Sequence, residues 1–143
     1  MTDAPLRLVV DASVGIKLFV DEEYSDKVHA LFEQLAADIP AILYVPDLFY
    51  IECTNILLKY TCRFGRSLED SRADLTDLGR LSLRVISTAE LMEDALLLAT
   101  EQNTSAYDAC YAVLASRLAL PLITADKPLA KAVGALWIGD LII

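Results

Sequence analysis

Leu6-Arg7-Leu8-Val9-Val10-Asp11, running on into Ala12-Ser13-Val14, is an apolar strand that ends on an acid and turns into a helix. Short apolar runs without polar alternation suit parallel strands covered on both faces. The pattern recurs at Ile42 to Val45, Leu83 to Ile86 and Leu120 to Thr124, and a last short strand is read at 135–138. Segments of helical period lie between them, at 13–19, 23–37, 47–62, 68–80, 88–102, 105–119 and 127–134. Strand and helix alternating in this way predict an α/β protein with a mainly parallel sheet.

Capping chemistry supports several of the boundaries. Ser13, Asp47 and Ser67 can each cap a helix, Ser87 with Glu90 has the spacing of a capping box, and Ser105 with Asp108 offers a weaker one. Gly65 suits the end of the third helix, where a left-handed residue is needed. With no repeat, low-complexity tract or linker, residues 1–143 read as a single domain.

Composition narrows the function. Hydrophobic residues make up 55% of the chain, more than a monomer of 143 residues conveniently hides, which predicts a homo-oligomer or a dedicated partner. No apolar run approaches the roughly 20 residues needed to span a bilayer, since Arg117 and Asp126 interrupt the best candidate. Met1-Thr2-Asp3 shows no basic region ahead of an apolar stretch, and Cys53, Cys62 and Cys110 lack metal or redox spacing. Reduced thiols in a cytoplasmic protein are expected. Net charge −9 argues against a basic nucleic-acid footprint. Six of the twelve basic residues nevertheless lie at 59–84 beside four acids, so that segment is either a guiding patch or a solvated face of mixed charge.

Four acids stand out by position. Asp11 and Asp126 each follow an apparent strand, where groups line the ligand crevice of an open parallel sheet. Asp126 before Lys127-Pro128 is also a good N-cap, whereas Ser13 offers a competing cap for the first helix and leaves Asp11 without an obvious structural job. Glu52 shares a helical stripe with Leu48, Asn55 and Lys59, while Cys53, Leu57 and Tyr50 occupy the opposite side, so no clearly wet face is evident. Buried there, its charge would need a proton, a cation or a metal. Asp108 heads a helix of small residues, Ala109, Ala112 and Ala115, with Tyr107, Tyr111, Leu114 and Leu118 supplying bulk.

The segments carrying these acids resemble, in order and spacing, the four motifs of PIN-domain ribonucleases of the VapC toxin type. Val9-Val10-Asp11-Ala12-Ser13-Val14 with Lys17 is similar to the first, and Pro46-Asp47-Leu48 leading to Glu52 and Asn55 to the second. Ser105-Ala106-Tyr107-Asp108-Ala109 with Tyr111 is similar to the third, and Leu122-Ile123-Thr124-Ala125-Asp126 with Leu129 to the fourth. Some relatives carry a further acid soon afterwards; here none follows until Asp140.

The resemblance implies a three-layer α/β/α sandwich, a Mg²⁺ or Mn²⁺ site at Asp11, Glu52, Asp108 and Asp126, an RNA substrate, homodimerisation and inhibition by a cognate VapB-type antitoxin. Hard carboxylate oxygens suit those ions. Ser13, Asn55 and Thr124 are candidates to support the ligands or touch phosphate, and Lys17 and Lys59 could contact RNA or pair with acids. His29, the only histidine, reads as a surface residue. Alternatives are a PIN-like RNA-processing nuclease without a toxin role, a phosphorylated receiver-type domain, and a non-catalytic interaction module. A receiver needs an acid pair after its first strand, and Asp11 is followed by Ala-Ser.

Overall fold

The computed structural model describes residues 4–143; Met1-Thr2-Asp3 lies outside the described residues. Five strands, β1 (Arg7–Val10), β2 (Ile42–Pro46), β3 (Arg84–Ile86), β4 (Leu122–Thr124) and β5 (Leu136–Trp137), form one sheet in the order β3-β2-β1-β4-β5. Every pairing is parallel; Val9 sits beside Tyr44 on β2 and Leu122 on β4. The helices are α1 (Ala12–Gly15), α2 (Ser25–Glu33), α3 (Leu48–Arg63), α4 (Leu68–Arg80), α5 (Met92–Gln102), α6 (Ala106–Leu118) and α7 (Lys127–Val133).

Strand order assigns the layers. The chain steps outward from β1 to β2 to β3, then crosses back over β1 to β4 and continues to β5. Crossovers between parallel strands are right-handed, so a reversal of direction moves the connecting helices to the other face. The contacts agree: α3 packs on α1 and α4, whereas α6 packs on α5 and α7. The result is the expected α/β/α sandwich.

Val9, Val10, Leu43, Val45 and Ile123 are fully enclosed at its centre, with Phe49 and Leu57 from α3 and Tyr111 and Leu114 from α6 packed into the same core. Gly15 brings α1 close to α3: a Cβ there would come within 2.5 Å of Phe49 Cζ. That contact sets the end of β1 beside the first half of α3.

Local expectations fail where tertiary partners intervene. The run read as a covered strand at Leu83 to Ile86 becomes an edge strand, with Arg84 and Val85 exposed because β2 flanks it on one side only. Ser13 does not cap α1; Asp11 does. Asp47 makes no cap bond to α3, since its Oδ1 accepts from Thr88 N at 2.7 Å while Thr88 Oγ1 accepts from Leu48 N at 3.0 Å. Ser87 makes no side-chain cap bond, and Thr88–Leu91 winds as a 3₁₀ turn before α5. Ser67 and Ser105 do cap their helices, and Gly65 takes φ +73° just beyond α3. Cys53 and Cys110 are buried, Cys62 is exposed, and all three are free thiols. Among the described residues no helix is long and apolar enough to cross a membrane.

Candidate active site

The chain leaves neighbouring strands β1 and β4 toward opposite faces of the sheet, which opens a crevice beyond their carboxyl ends. Asp11 is the first residue past β1 and Asp126 the second past β4. Glu52 comes from the second turn of α3, and Asp108 from the first turn of α6.

Asp11 is only 5% exposed. Its Oδ1 accepts from Ser13 Oγ at 2.6 Å and from Val14 N at 3.1 Å, so both bonds fall on one oxygen. Burial pushes this carboxyl up to about 6; the Ser13 and Thr124 hydroxyls and the Val14 N–H oppose the rise, and the charge of Asp108 adds to it. Glu52 is half-buried, and the Tyr111 hydroxyl donates to its Oε1 at 2.6 Å. Burial raises its proton affinity, Tyr111 opposes this, and Asp108 again adds. Asp108 itself is raised by burial, lowered in part by the Ser105 hydroxyl, and raised further by Asp126.

Asp126 is exposed and caps α7, its Oδ1 accepting from Leu129 N at 3.0 Å with Pro128 in the first turn. The capping role read from sequence is therefore real, and coexists with a position near Asp108. Thr124 is fully buried and its Oγ1 accepts from Asp126 N at 3.1 Å. Ser13 Oγ also accepts from Ala125 N at 2.9 Å, stitching the end of β1 to the end of β4. Ser13 and Thr124 thus brace the crevice acids. Asn55 is exposed and lies in the groove beside Glu52, with no hydrogen bond to an acid among the described residues.

Asp108 is the electrical centre of the group: its charge reaches Asp11 and Glu52, and that of Asp126 reaches it. None of the four acids forms an ion pair with lysine, arginine or histidine among the described residues. Nor, among those residues, do three Asp, Glu, His or Cys side chains stand close enough to enclose one ion. The structure gathers the acids into one electrostatic neighbourhood without closing a cage. Their chemistry fits a hard divalent cation all the same. Mg²⁺ commonly keeps several waters and binds through one or two carboxylates, which an open set of oxygens accommodates.

Beside the crevice a groove of about 520 Å³ runs along α3, lined by Leu48, Ile51, Glu52, Asn55, Leu58 and Tyr107. Tyr107, Ile51 and Leu58 are exposed along it. Helix α3 therefore has a solvent face after all, made by Ile51, Asn55, Leu58 and Lys59, with Glu52 at its border. Sequence reading missed it because apolar residues occupy half of that face. Lys17 is buried and paired with Glu22 at 3.2 Å, which leaves it no role in touching RNA. His29 is on the surface, as expected. In the 59–84 segment Arg66 pairs with Asp74, and Lys59, Arg63, Arg72 and Arg84 are exposed.

A family model for the PIN domain matches residues 8–134, a span that holds all four acids. The chain belongs to the PIN domain family. This PIN domain is 35% identical over 134 residues to Ribonuclease VapC3 of Pyrobaculum aerophilum, covering 92% of the chain and 98% of that relative. Among solved structures it is similar to the Pyrobaculum aerophilum protein PAE2754, with TM-score 0.68 and 24% identity over 94% of this chain and 90% of that one. It is also similar to VapBC2 from Rickettsia felis, solved on a promoter DNA fragment, with TM-score 0.64 and 14% identity over 92% and 97%. At those identities the two structures establish the fold. The family assignment removes the receiver-type alternative.

Proposed function

We propose that this PIN domain is a metal-dependent ribonuclease that hydrolyses RNA phosphodiester bonds and serves as the toxin of a VapBC-type pair in the cytoplasm. One observation carries the proposal: three carboxylates of raised proton affinity, with a fourth beside them, share one electrostatic neighbourhood at the sheet's crevice, and among the described residues none of them is paired with a basic side chain. The 35% identity to a ribonuclease along almost the whole chain supports the reaction class.

Asp11, Glu52 and Asp108 are assigned as the principal holders of Mg²⁺ or Mn²⁺, directly or through water, with Asp126 completing the set. Such an ion supplies an activated water nucleophile and neutralises charge that grows on phosphoryl and leaving oxygens. The chain's own residues supply the rest. Ser13 and Val14 hold Oδ1 of Asp11. Thr124 tethers the backbone at Asp126. Asn55, exposed in the groove beside Glu52, would touch a phosphate, and the hydrolysis draws on no histidine. RNA reaches the acids along the α3 groove.

Inhibition by a VapB-type antitoxin follows from the same surface. An apolar helix would cover Ile51, Leu58 and Tyr107, and an arginine or lysine it carries would answer the acids in place of the cation. A homodimer accounts for the second apolar strip, Met92, Leu96 and Leu97 on α5.

Purified protein incubated with RNA should cleave it in Mg²⁺ or Mn²⁺ and stop in a chelator. Asp11→Asn and Asp108→Asn should each lose at least about 100-fold in rate while keeping the fold. Cleavage that persists in chelator, or in both variants, rejects the assignment.

A further inference from the structure

Tyr111 is the bulkiest of the fully enclosed side chains, 1% exposed, yet it ends in a hydroxyl. A phenylalanine would fill the same space with no polar atom to satisfy, and a buried hydroxyl left unpaired is destabilising. Among the described residues this hydroxyl has one hydrogen-bond partner, Glu52 Oε1 at 2.6 Å. That length is typical of an O–H donor on a carboxylate, roughly twice as strong as a neutral bond.

Tyr111 lies three residues beyond Asp108 on α6, and residues three apart share a helix face. One face of α6 therefore presents Asp108 to the crevice and grips Glu52 of α3. The grip falls on Oε1, and among the described residues Oε2 has no hydrogen-bond partner. We infer that Tyr111 is a positioning residue that locks the Glu52 carboxylate from inside the core in the orientation a divalent cation requires. The inference rests on the metal reading above and adds to it a residue that never meets the cation.

Mn²⁺ affinity of the intact protein, measured by calorimetry, tests it through a double-mutant cycle. Tyr111→Phe should weaken Mn²⁺ about 10-fold, the scale on which partners of metal ligands act. In a Glu52→Gln background the same change should alter affinity by less than about twofold, because the bond it removes no longer orients a charged ligand. RNA cleavage by Tyr111→Phe should recover toward the unmutated rate as Mn²⁺ is raised. If the phenylalanine variant does not fold, Glu52→Asp, which withdraws the carboxylate from the phenol without touching the core, tests whether the placing of that carboxylate matters; it should bind Mn²⁺ at least as weakly. Unchanged affinity in Tyr111→Phe, or in Glu52→Asp, overturns the inference. So does an equal loss in the Glu52→Gln background, which would make Tyr111 a packing residue only. An unmutated protein that binds no Mn²⁺ overturns the metal reading together with this one, and the two failures are thereby told apart.

Discussion

Two glutamates in this molecule each accept a tyrosine hydroxyl, and only one of them also meets a lysine. Glu22 takes the Tyr60 hydroxyl on Oε2 and the Lys17 ammonium on Oε1 at 3.2 Å. Glu52 takes the Tyr111 hydroxyl and, among the described residues, no basic side chain, and the charge acting on it is that of another acid, Asp108. Both tyrosines are held protonated, Tyr60 up to about 12 by its bond to Glu22 and then by burial. The two sites share helix α3, eight residues or roughly 12 Å apart. The first is a closed structural pair. The second has the same tyrosine–carboxylate bond, no basic partner among the described residues, and the company of Asp11 and Asp108, the setting in which a divalent ion is proposed to bind.

Breaking the closed pair should have the largest effect on stability. Lys17→Met keeps the buried stem and leaves Glu22 partly buried with one partner; about 3 kcal/mol should be lost in urea unfolding, at the low end for such pairs because Glu22 is partly solvated. A change under about 0.5 kcal/mol would mean that Lys17 is as dispensable as a surface charge. Next in size is the open site. Mn²⁺ at 100 times its dissociation constant should stabilise the protein by about 2.7 kcal/mol, and Asp108→Asn should abolish most of that gain. No stabilisation would make the crevice acids structural like Glu22.

The metal-free protein offers a third measurement. Asp11 is raised from 3.8 to about 6, so the folded state holds its proton more tightly than the unfolded chain does. Its contribution to stability therefore improves as pH falls from about 6 toward 4, and its full cost is present above 6. Asp11→Asn should stabilise the metal-free protein by about 1–2 kcal/mol at pH 7, less than the nearly 3 kcal/mol that a two-unit shift allows, because amide bonds are weaker than carboxylate ones. At pH 4 the gain should vanish. Destabilisation at pH 7 would show that the cap to Val14 outweighs the buried charge. The smallest effect is expected of Asn55→Ala, within about 0.5 kcal/mol in unfolding for an exposed helix residue. Cleavage should fall several-fold if the amide touches phosphate.

Much of this was legible in the sequence, and the residues show where legibility ends. Strand positions follow from continuous apolar runs and helix positions from the 3.6-residue period within a few residues, and β1, β2, α3, α4, α6 and α7 fall close to where the pattern puts them. Chain order alone cannot reveal which strand lies at an edge, so Val85 reads as core and is exposed. Caps are decided by competition. Ser13 loses its helix to Asp11 because its hydroxyl is engaged by Ala125 N, 112 residues away. The four acids are visible as exceptions to apolar patterns, since an ionised group beside such residues needs a reason. Tyr111 is not visible: its ring fits the core pattern, and its hydroxyl acquires meaning only from Glu52, 59 residues earlier.

The acids that meet at the β1–β4 crevice enter the chain at positions 11, 52, 108 and 126, spread over most of its length. During synthesis the crevice has no second wall until β4 has left the ribosome and slid in beside β1. Under the proposed function, a chain cut short before β4 should therefore leave RNA intact, the message and ribosome that are producing it included.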